Sequence, residues 1–202
     1  MSSFSVYERM EMIFATHNQH KTEEARHILG GILQVRNLIE IGCPEIPETA
    51  DTLKGNAILK AQYVYDNYRC DCFADDTGLE VEALDGRPGV MSARYAGEGC
   101  SFEDNMRKLL GEMQGVENRK ACFKTVIALI LDGELHCFEG RVDGVITSGE
   151  KGDAGFGYDP IFLPDGHDKT FAEMDAATKN RISHRGRAME KLMAFLKEYR
   201  GR

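Results

Sequence analysis

The chain has 202 residues, of which 42% are hydrophobic, and its formal net charge at pH 7 is −8. Such a chain buries enough apolar surface to fold without a structural metal or a disulfide, so we expect one domain with two lobes over residues 1–202. The acidic excess argues against a nucleic-acid partner, whose phosphate backbone requires a basic face. A small polyanion is not excluded, because a few convergent cations and a divalent metal act at short range.

The composition does not indicate secretion or a membrane. Residues 1–12 lack the apolar segment of a signal peptide, and no later stretch approaches the roughly 20 apolar residues of a membrane span. Without a secretory signal, cysteines that form no CxxC pair are expected to be reduced thiols. These are Cys43, Cys70, Cys72, Cys100, Cys122 and Cys137. We therefore expect a soluble cytoplasmic protein with no membrane partner.

The first half of the chain is predicted to alternate strands and helices. A short apolar run predicts a buried strand over residues 12–15, and helix formers over residues 21–29 end at two glycines. Residues 32–41 are predicted to form a second strand, and the proline-containing residues 43–51 a loop. A long amphipathic helix is predicted from the helical spacing of Leu53, Ala57, Ala61, Val64, Tyr65 and Tyr68.

The second half is predicted to contain a β-meander between helices. A short strand over residues 72–74 runs into the polar residues 75–78, and an alternating segment follows. Runs rich in β-formers over residues 121–131 and 135–146 flank an Asp-Gly dipeptide, which is favoured in hairpins. Helical spacing predicts one helix from Phe102, Met106, Leu109, Leu110 and Met113. A closing helix over residues 183–199 is predicted to turn inward Ala188, Leu192, Phe195, Leu196 and Tyr199.

A polar run between the first strand and the first helix is a candidate anion site. It consists of Thr16, His17, Asn18, Gln19, His20 and Lys21. Free backbone N–H groups and the helix dipole favour an anion at such a position, and Lys21 adds a full charge. The alternative is that Asn18 caps the helix and Lys21 is solvated. The glycines of a Walker loop are missing.

Two groups of carboxylates are candidates for holding a metal or activating water. Asp75 and Asp76 follow an apolar strand end. Because adjacent residues of an extended chain face opposite ways, we expect only one of them to face the site. Glu45, Glu48 and Asp51 form the second group, and any one of them is a candidate metal ligand. An acidic turn and solvated loop carboxylates are the alternatives.

Cations and aromatic rings complete the candidates. Lys60 lies beside the apolar face of the long helix, so it either reaches the site or snorkels to solvent. The glycine-flanked residues 155–160 include Phe156 and Tyr158, one of which could stack on a base, although a glycine turn with core rings is the alternative. Three potential hydrogen-bond donors surround the start of the last helix: Lys179, His184 and Arg185. A solvated basic helix start is the alternative there, weakened because cations oppose the helix dipole.

Six segments are distinctive when they are taken together. They are ATHNQHK at 15–21, NAILKA at 56–61, ADDTG at 74–78, PGVMSARYAG at 88–97, GFGYDPIF at 155–162 and ISHRG at 182–186. In this order they resemble the inosine triphosphate pyrophosphatase family, enzymes that hydrolyse noncanonical purine nucleoside triphosphates. The resemblance covers nearly the whole chain. It implies an α/β fold in which a long twisted mixed sheet and its helices form two lobes around a nucleotide-binding cleft.

The resemblance also implies roles for residues at matching positions. Residues 16–21 are implied to bind the substrate, Asp76 to be the catalytic carboxylate and a magnesium ligand, and Glu48 to be the second metal ligand. Lys60 is implied to be a catalytic lysine on the phosphate side. The other implied substrate-binding residues are Thr77, Phe156, Gly157, Tyr158, Asp159, Lys179, His184 and Arg185. Mg²⁺ is the implied cofactor, and a homodimer is the implied assembly.

The implied reaction is metal-assisted attack of water on the α-phosphorus, which yields the monophosphate and pyrophosphate. Asp76 would orient and deprotonate the water. Selectivity for a 6-oxo purine is expected if Lys179, Arg185 and a protonated His184 are donors only. One alternative is a sister family that acts on pyrimidine or modified bases and lacks the SHRG ending. Another is a catalytically silent nucleotide-binding regulator, which would not need Asp76 and Lys60.

Overall fold

The computed structural model describes residues 10–201, which form seven strands and five α-helices. The strands are β1 (Met10–Phe14), β2 (Leu33–Asn37), β3 (Cys72–Val81), β4 (Pro88–Gly89), β5 (Lys120–Leu131), β6 (Glu134–Ile146) and β7 (Phe162–Pro164). The α-helices are α1 (Gln19–Leu29), α2 (Leu53–Tyr68), α3 (Phe102–Glu112), α4 (Ala176–Ile182) and α5 (His184–Arg200). None of these helices is long and apolar enough to cross a membrane.

The seven strands belong to one mixed sheet. Its order is β2-β1-β3-β5-β6-β7, and the short β4 pairs with β3 outside this path. β1 runs parallel to both β2 and β3, whereas β3, β5, β6 and β7 are successively antiparallel. The parallel half therefore comes from the alternating first part of the chain, and the antiparallel half from the meander. The predicted α/β class with a mixed sheet is confirmed.

Local sequence signals explain where the main elements begin and turn. The side chains of Asn18, Thr52 and Ser183 accept hydrogen bonds from N–H groups of the first turn of α1, α2 and α5. The turn between β5 and β6 has φ values of 49 at Asp132 and 81 at Gly133, the left-handed conformations of a tight hairpin. The predicted long helix and the predicted hairpin are therefore confirmed.

Three predicted details are wrong. β3 does not end before the Asp-Asp pair but continues to Val81, because β5 pairs with every residue along it. The second predicted strand ends at Asn37, where the N–H of the next residue, Leu38, bonds to the carbonyl of Thr16 and the chain turns. Tyr199 does not face inward: it is 36% exposed, and its hydroxyl contacts the Asp132 carboxylate.

Side chains along β3 alternate between the two faces of the sheet. Phe73 packs in an apolar cluster with α1 and α5, whereas Ala74 packs in another cluster with α2. A third cluster, which includes Leu79 and residues of α3, lies toward the other end of the strand. Asp75 and Asp76 continue the alternation at the junction of these clusters. Their carboxylates therefore leave the strand on opposite faces.

Candidate active site

A cleft of about 780 Å³ lies where the β1–α1 loop, β3 and the start of α5 meet. Most of the predicted site residues line it: Thr16, His17, Asn18, Lys21, Glu48, Lys60, Asp76, Thr77, Phe156, Gly157, Tyr158, Asp159, Lys179, His184 and Arg185. Gln19 and His20 are exposed and lie outside this lining; the Gln19 amide oxygen accepts a hydrogen bond from Asn37, and the His20 ring stacks on Phe156. The fold thus gathers side chains separated by more than a hundred residues.

The start of α1 confirms the helix cap of the alternative interpretation but not its solvated lysine. Asn18 caps the helix by accepting a hydrogen bond from the N–H of Lys21. Lys21 is not solvated, because its side chain is only 14% exposed and its Nζ donates to Asp75 Oδ1 at 2.9 Å. His17 is half-buried in the preceding loop, with Nε2 2.9 Å from the carbonyl oxygen of Cys43. The first turn of α1 therefore carries a lysine that is already paired with a buried carboxylate.

Asp75 organises the cations behind the cleft. It is fully buried, and its oxygens accept hydrogen bonds from Lys21 and, at 3.0 Å, from Arg185 Nε. Burial by itself would raise the pKa of Asp75, but Lys21 and Arg185 hold it well below its ordinary value. Asp75 is therefore ionised at neutral pH, and it positions two cations from different helices.

Asp76 has the opposite environment. Its carboxylate lines the cleft and accepts hydrogen bonds from Asn56 Nδ2 at 3.0 Å and from the N–H of Thr77 at 2.9 Å. Burial raises the pKa of Asp76, and the Glu48 charge raises it further, although Lys60 opposes both effects. A carboxylate with a raised pKa beside a cleft is suited to accepting a proton.

Glu48 and Lys60 form an ion pair on the α2 side of Asp76. Lys60 contacts the Glu48 carboxylate and donates to the carbonyl oxygen of Asp75 at 2.7 Å. Burial would lower the pKa of Lys60, but the nearby carboxylates raise it above its ordinary value, so the lysine stays charged. Of the other two candidate ligands, Glu45 also lines the cleft, whereas Asp51 lines a separate hollow.

The far end of the cleft is a network of buried charges around Phe156. Lys179 Nζ donates to Asp159 at 2.7 Å and to Glu24 at 2.8 Å, and Arg185 also contacts Glu24. Lys179 Nζ lies 4.8 Å from the centre of the Phe156 ring, and the Arg185 guanidinium carbon lies 5.5 Å from it. Phe156 therefore lines the cleft beside two paired cations.

The other two candidates at this end, Tyr158 and His184, also line the cleft, but both are buried. Tyr158 is a core residue whose hydroxyl donates to the carbonyl oxygen of Ser92. His184 is buried and stacks on Phe123, with ring centres 4.5 Å apart. Burial, and then the charges of Arg185 and Lys179, lower the pKa of His184 well below 6.5. The prediction of a protonated His184 that only donates is wrong, because the neutral ring keeps one acceptor nitrogen.

Several residues of the site were not predicted from the sequence. Glu24 bonds to both Lys179 and Arg185 at the far end of the cleft, and it follows Lys21 by three residues, a spacing that places both on one face of a helix. Asn56 and Arg94 lie within distinctive segments, but no role was predicted for them. Their contacts with Asp76 and Glu48 become visible only in the folded chain.

Fold and cleft together define an α/β protein that places a helix start, several buried cations and the carboxylates of Asp76 and Glu48 around one cleft suited to a small molecule. The chain belongs to the Ham1 family, whose family model matches residues 12–195. This membership confirms the resemblance seen in the sequence.

Named relatives cover nearly the whole chain. The dITP/XTP pyrophosphatase of Porphyromonas gingivalis is 58% identical over 188 residues, which are 92% of this chain and 97% of that protein. The dITP/XTP pyrophosphatase of Flavobacterium johnsoniae is 52% identical over 93% of this chain and 98% of that protein. The solved structure of the Staphylococcus aureus Ham1 protein has a TM-score of 0.84 and 40% identity, covering 94% of this chain and 99% of that one.

Proposed function

We propose that this protein hydrolyses noncanonical purine nucleoside triphosphates, such as ITP, dITP, XTP and dXTP, to the monophosphate and pyrophosphate. The observation that carries the proposal is the position of Asp76, a buried carboxylate with a raised pKa, in the same cleft as Lys21, Lys60 and the α1 start. The names of the two relatives described above support the substrate class. Such an activity would keep these nucleotides out of DNA and RNA.

In the proposed mechanism, Asp76 orients and deprotonates the water that attacks the α-phosphorus. Asn56 and the N–H of Thr77 hold its carboxylate in place. Lys60, fixed by Glu48 and by the Asp75 carbonyl, lies where it stabilises the negative charge of the phosphates. Positioning and charge neutralisation, rather than covalent chemistry, supply most of the acceleration in such reactions.

We propose Asp76 and Glu48 as the residues that hold Mg²⁺. Both line the cleft, and Lys60 connects them, because it contacts the Glu48 carboxylate and donates to the carbonyl oxygen of Asp75, the residue next to Asp76. Two carboxylates are a suitable set for Mg²⁺, which uses one or two of them together with water and substrate phosphates. In residues 10–201 no group of three His, Cys, Asp or Glu side chains is arranged for a metal. When bound, the ion would polarise phosphoryl oxygens.

The base end of the proposed site accounts for selectivity. Phe156 lines this end, and Lys179 and Arg185 beside it are donors that suit the 6-oxo group of hypoxanthine or xanthine. The 6-amino group of adenine would set donor against donor, which costs about 1 to 3 kcal/mol for a group left unpaired. The remaining predicted contacts, including those of Gly157 and Asp159, belong to the same end.

The decisive experiment identifies products across a panel of ITP, XTP, GTP and ATP with Mg²⁺. Phosphorus NMR should show inosine monophosphate and pyrophosphate from ITP. Inosine diphosphate and orthophosphate would contradict attack at the α-phosphorus, and tight binding without turnover would favour the silent regulator.

We also propose that the protein is a cytoplasmic homodimer. Sedimentation equilibrium should give twice the chain mass, and a monomer would contradict this assembly.

A further inference from the structure

The segment PGVMSARYAG places one more arginine in the cleft. A short 3-10 turn over Ser92–Arg94 brings Arg94 to the lining beside Glu48. This turn is held from several sides: Ser92 Oγ accepts from the N–H of Leu79 at 2.9 Å and donates to a neighbouring carbonyl, while Asn105 Nδ2 donates to the Ala93 carbonyl at 3.1 Å. The backbone at Arg94 is therefore fixed by β3 and α3.

Arg94 differs from the other four cations of the cleft in how its charge is neutralised. Lys21, Lys60, Lys179 and Arg185 are each in direct hydrogen-bond contact with a carboxylate, and their side chains are 14% exposed or less. Arg94 Nη1 lies 3.7 Å from Glu48 Oε2, and its side chain is 27% exposed. Its hydrogen bond goes to the backbone carbonyl of Glu48, at 3.3 Å. Among the cations lining the cleft in residues 10–201, Arg94 thus has the longest carboxylate contact.

We propose that Arg94 is a catalytic residue that binds the pyrophosphate half of the substrate triphosphate. This inference rests on the proposed function. Lys179 and Arg185, the cations of the base end, contact Glu24, and Lys179 also contacts Asp159. Arg94 instead contacts Glu48, which with Asp76 is proposed to hold Mg²⁺ beside the substrate phosphates. The guanidinium fork suits two phosphate oxygens at once, and a 3.7 Å ion pair is readily exchanged for them.

The role of Arg94 follows from the charge that moves in the reaction. The water oxygen bonds to the α-phosphorus while the bond from that phosphorus to the bridging oxygen breaks. The water proton goes to the Asp76 carboxylate, and the electron pair of the broken bond stays on the departing pyrophosphate. Arg94 offsets this new negative charge, as arginines do in other phosphoryl-transfer sites.

The test measures binding before it measures turnover. Arg94→Gln, Arg94→Lys and the control Arg107→Gln, which changes a 77% exposed arginine of α3, are compared by calorimetry with Mg²⁺ present. The ligands are the nonhydrolysable α,β-imido analogue of ITP and inosine monophosphate. Arg94→Gln should weaken binding of the triphosphate analogue about 10- to 150-fold and leave monophosphate binding within about threefold. Arg94→Lys should lie between, and Arg107→Gln should match the wild type.

A purely structural role would give another pattern. If Arg94 only holds Glu48, Arg94→Gln should weaken Mn²⁺ binding without nucleotide as much as it weakens the triphosphate analogue, and that result would overturn the proposal. Equal losses for triphosphate and monophosphate, or unchanged binding of both, would also overturn it. A wild type that binds the analogue but releases no pyrophosphate from ITP would refute the proposed function separately, since the binding comparison still decides whether Arg94 holds the triphosphate.

Discussion

Asp75 and Asp76 are neighbours in the chain, yet the fold gives them opposite electrostatic environments. Asp75 lies behind the cleft, where Lys21 and Arg185 lower its pKa, and Asp76 lies in the cleft, where burial raises its pKa. The first is held ionised to position cations. The second is available to accept a proton, because the folded protein does not favour its charged form.

Asp76→Asn should therefore lower kcat by about 10²- to 10⁴-fold while binding of the ITP analogue stays measurable, since the change removes the base and keeps the shape. Steady-state kinetics and calorimetry check this at saturating Mg²⁺. A variant that keeps more than about a tenth of wild-type activity would show that Asp76 is not the base.

Asp75→Asn is the matched comparison, and it should act on stability. Removing this buried charge leaves Lys21 and Arg185 without their shared partner, which should lower the free energy of unfolding by about 3 to 5 kcal/mol. Asp76→Asn should cause no comparable loss. Urea denaturation of both variants at pH 7 measures the contrast, and equal losses would contradict the different environments of the two carboxylates.

His184 should make the free energy of unfolding depend on pH. Its pKa in the folded protein lies well below 6.5, so between these two values the unfolded chain binds more protons. Stability should therefore fall as pH drops below about 6.5, by up to about 1.4 kcal/mol per pH unit from this residue. Urea denaturation from pH 7.5 to 5 should show a smaller fall in His184→Gln, and the exposed control His167→Gln should follow the wild type.

At the scale of elements, the buried charge network adds ion pairs between α1, α4, α5 and β3 to the apolar cluster that already joins α1, β3 and α5. Glu24 of α1 bonds to Lys179 of α4 and Arg185 of α5, and Arg185 also bonds to Asp75 of β3. The ion pair between Asp159 and Lys179 connects the glycine-rich loop over residues 155–160 to the same network. The same cations that are proposed to select the base therefore also hold the helices around the cleft, so that selectivity and stability depend on shared residues.

Arg185→Ala should show both effects. The preference for ITP over ATP, measured as the ratio of kcat/KM values, should fall by about tenfold or more, because one of the two donors to the 6-oxo group is lost. The free energy of unfolding should also fall, by about 3 to 5 kcal/mol. Arg187→Ala, an exposed arginine two residues later on α5, is the control and should change neither. Unchanged selectivity in Arg185→Ala would show that Arg185 does not recognise the base.

For the whole molecule, the negative net charge opposes binding of an anionic triphosphate, so the positive charges inside the cleft must offset it. The chain carries a formal charge of −8, and the cleft is lined by as many carboxylates as lysines and arginines. A triphosphate entering this site without a divalent ion would add negative charge to an already balanced cleft. The three apolar clusters, in contrast, are built from side chains other than Asp76 and Glu48.

Removal of divalent ions should therefore abolish turnover and leave the fold intact. With EDTA, pyrophosphate release from ITP should fall to background and return when Mg²⁺ is added in excess, while the melting temperature of the nucleotide-free protein changes little. Calorimetric scans and the product assay on the same samples check both parts. Full activity in EDTA would contradict the proposed magnesium site.

Much of the fold and of the site could be predicted because the signals are local. The spacing of Leu53, Ala57 and Ala61 predicts α2, and an Asp-Gly pair predicts the β5–β6 turn. Asn18 directly precedes helix-forming residues, a position at which asparagine is a favoured cap. The opposite facing of Asp75 and Asp76 also follows from strand geometry alone. These features depend on residues a few positions apart, so their physical cause is contained in the sequence itself.

Only the tertiary structure determines the ion-pair partners of the site's cations and the charge state of His184. Lys21 pairs with a carboxylate 54 positions away, and Arg185 with one 110 positions away, so neither ion pair is visible in a local pattern. The pKa of His184 is lowered by burial and by the charges of Arg185 and Lys179, which surround the ring only in the folded protein. Arg94 stands out only when its distance to Glu48 is compared with the other ion pairs. The pKa of a group and the closeness of its ion pairs depend on distances and burial in three dimensions, which a one-dimensional pattern does not contain.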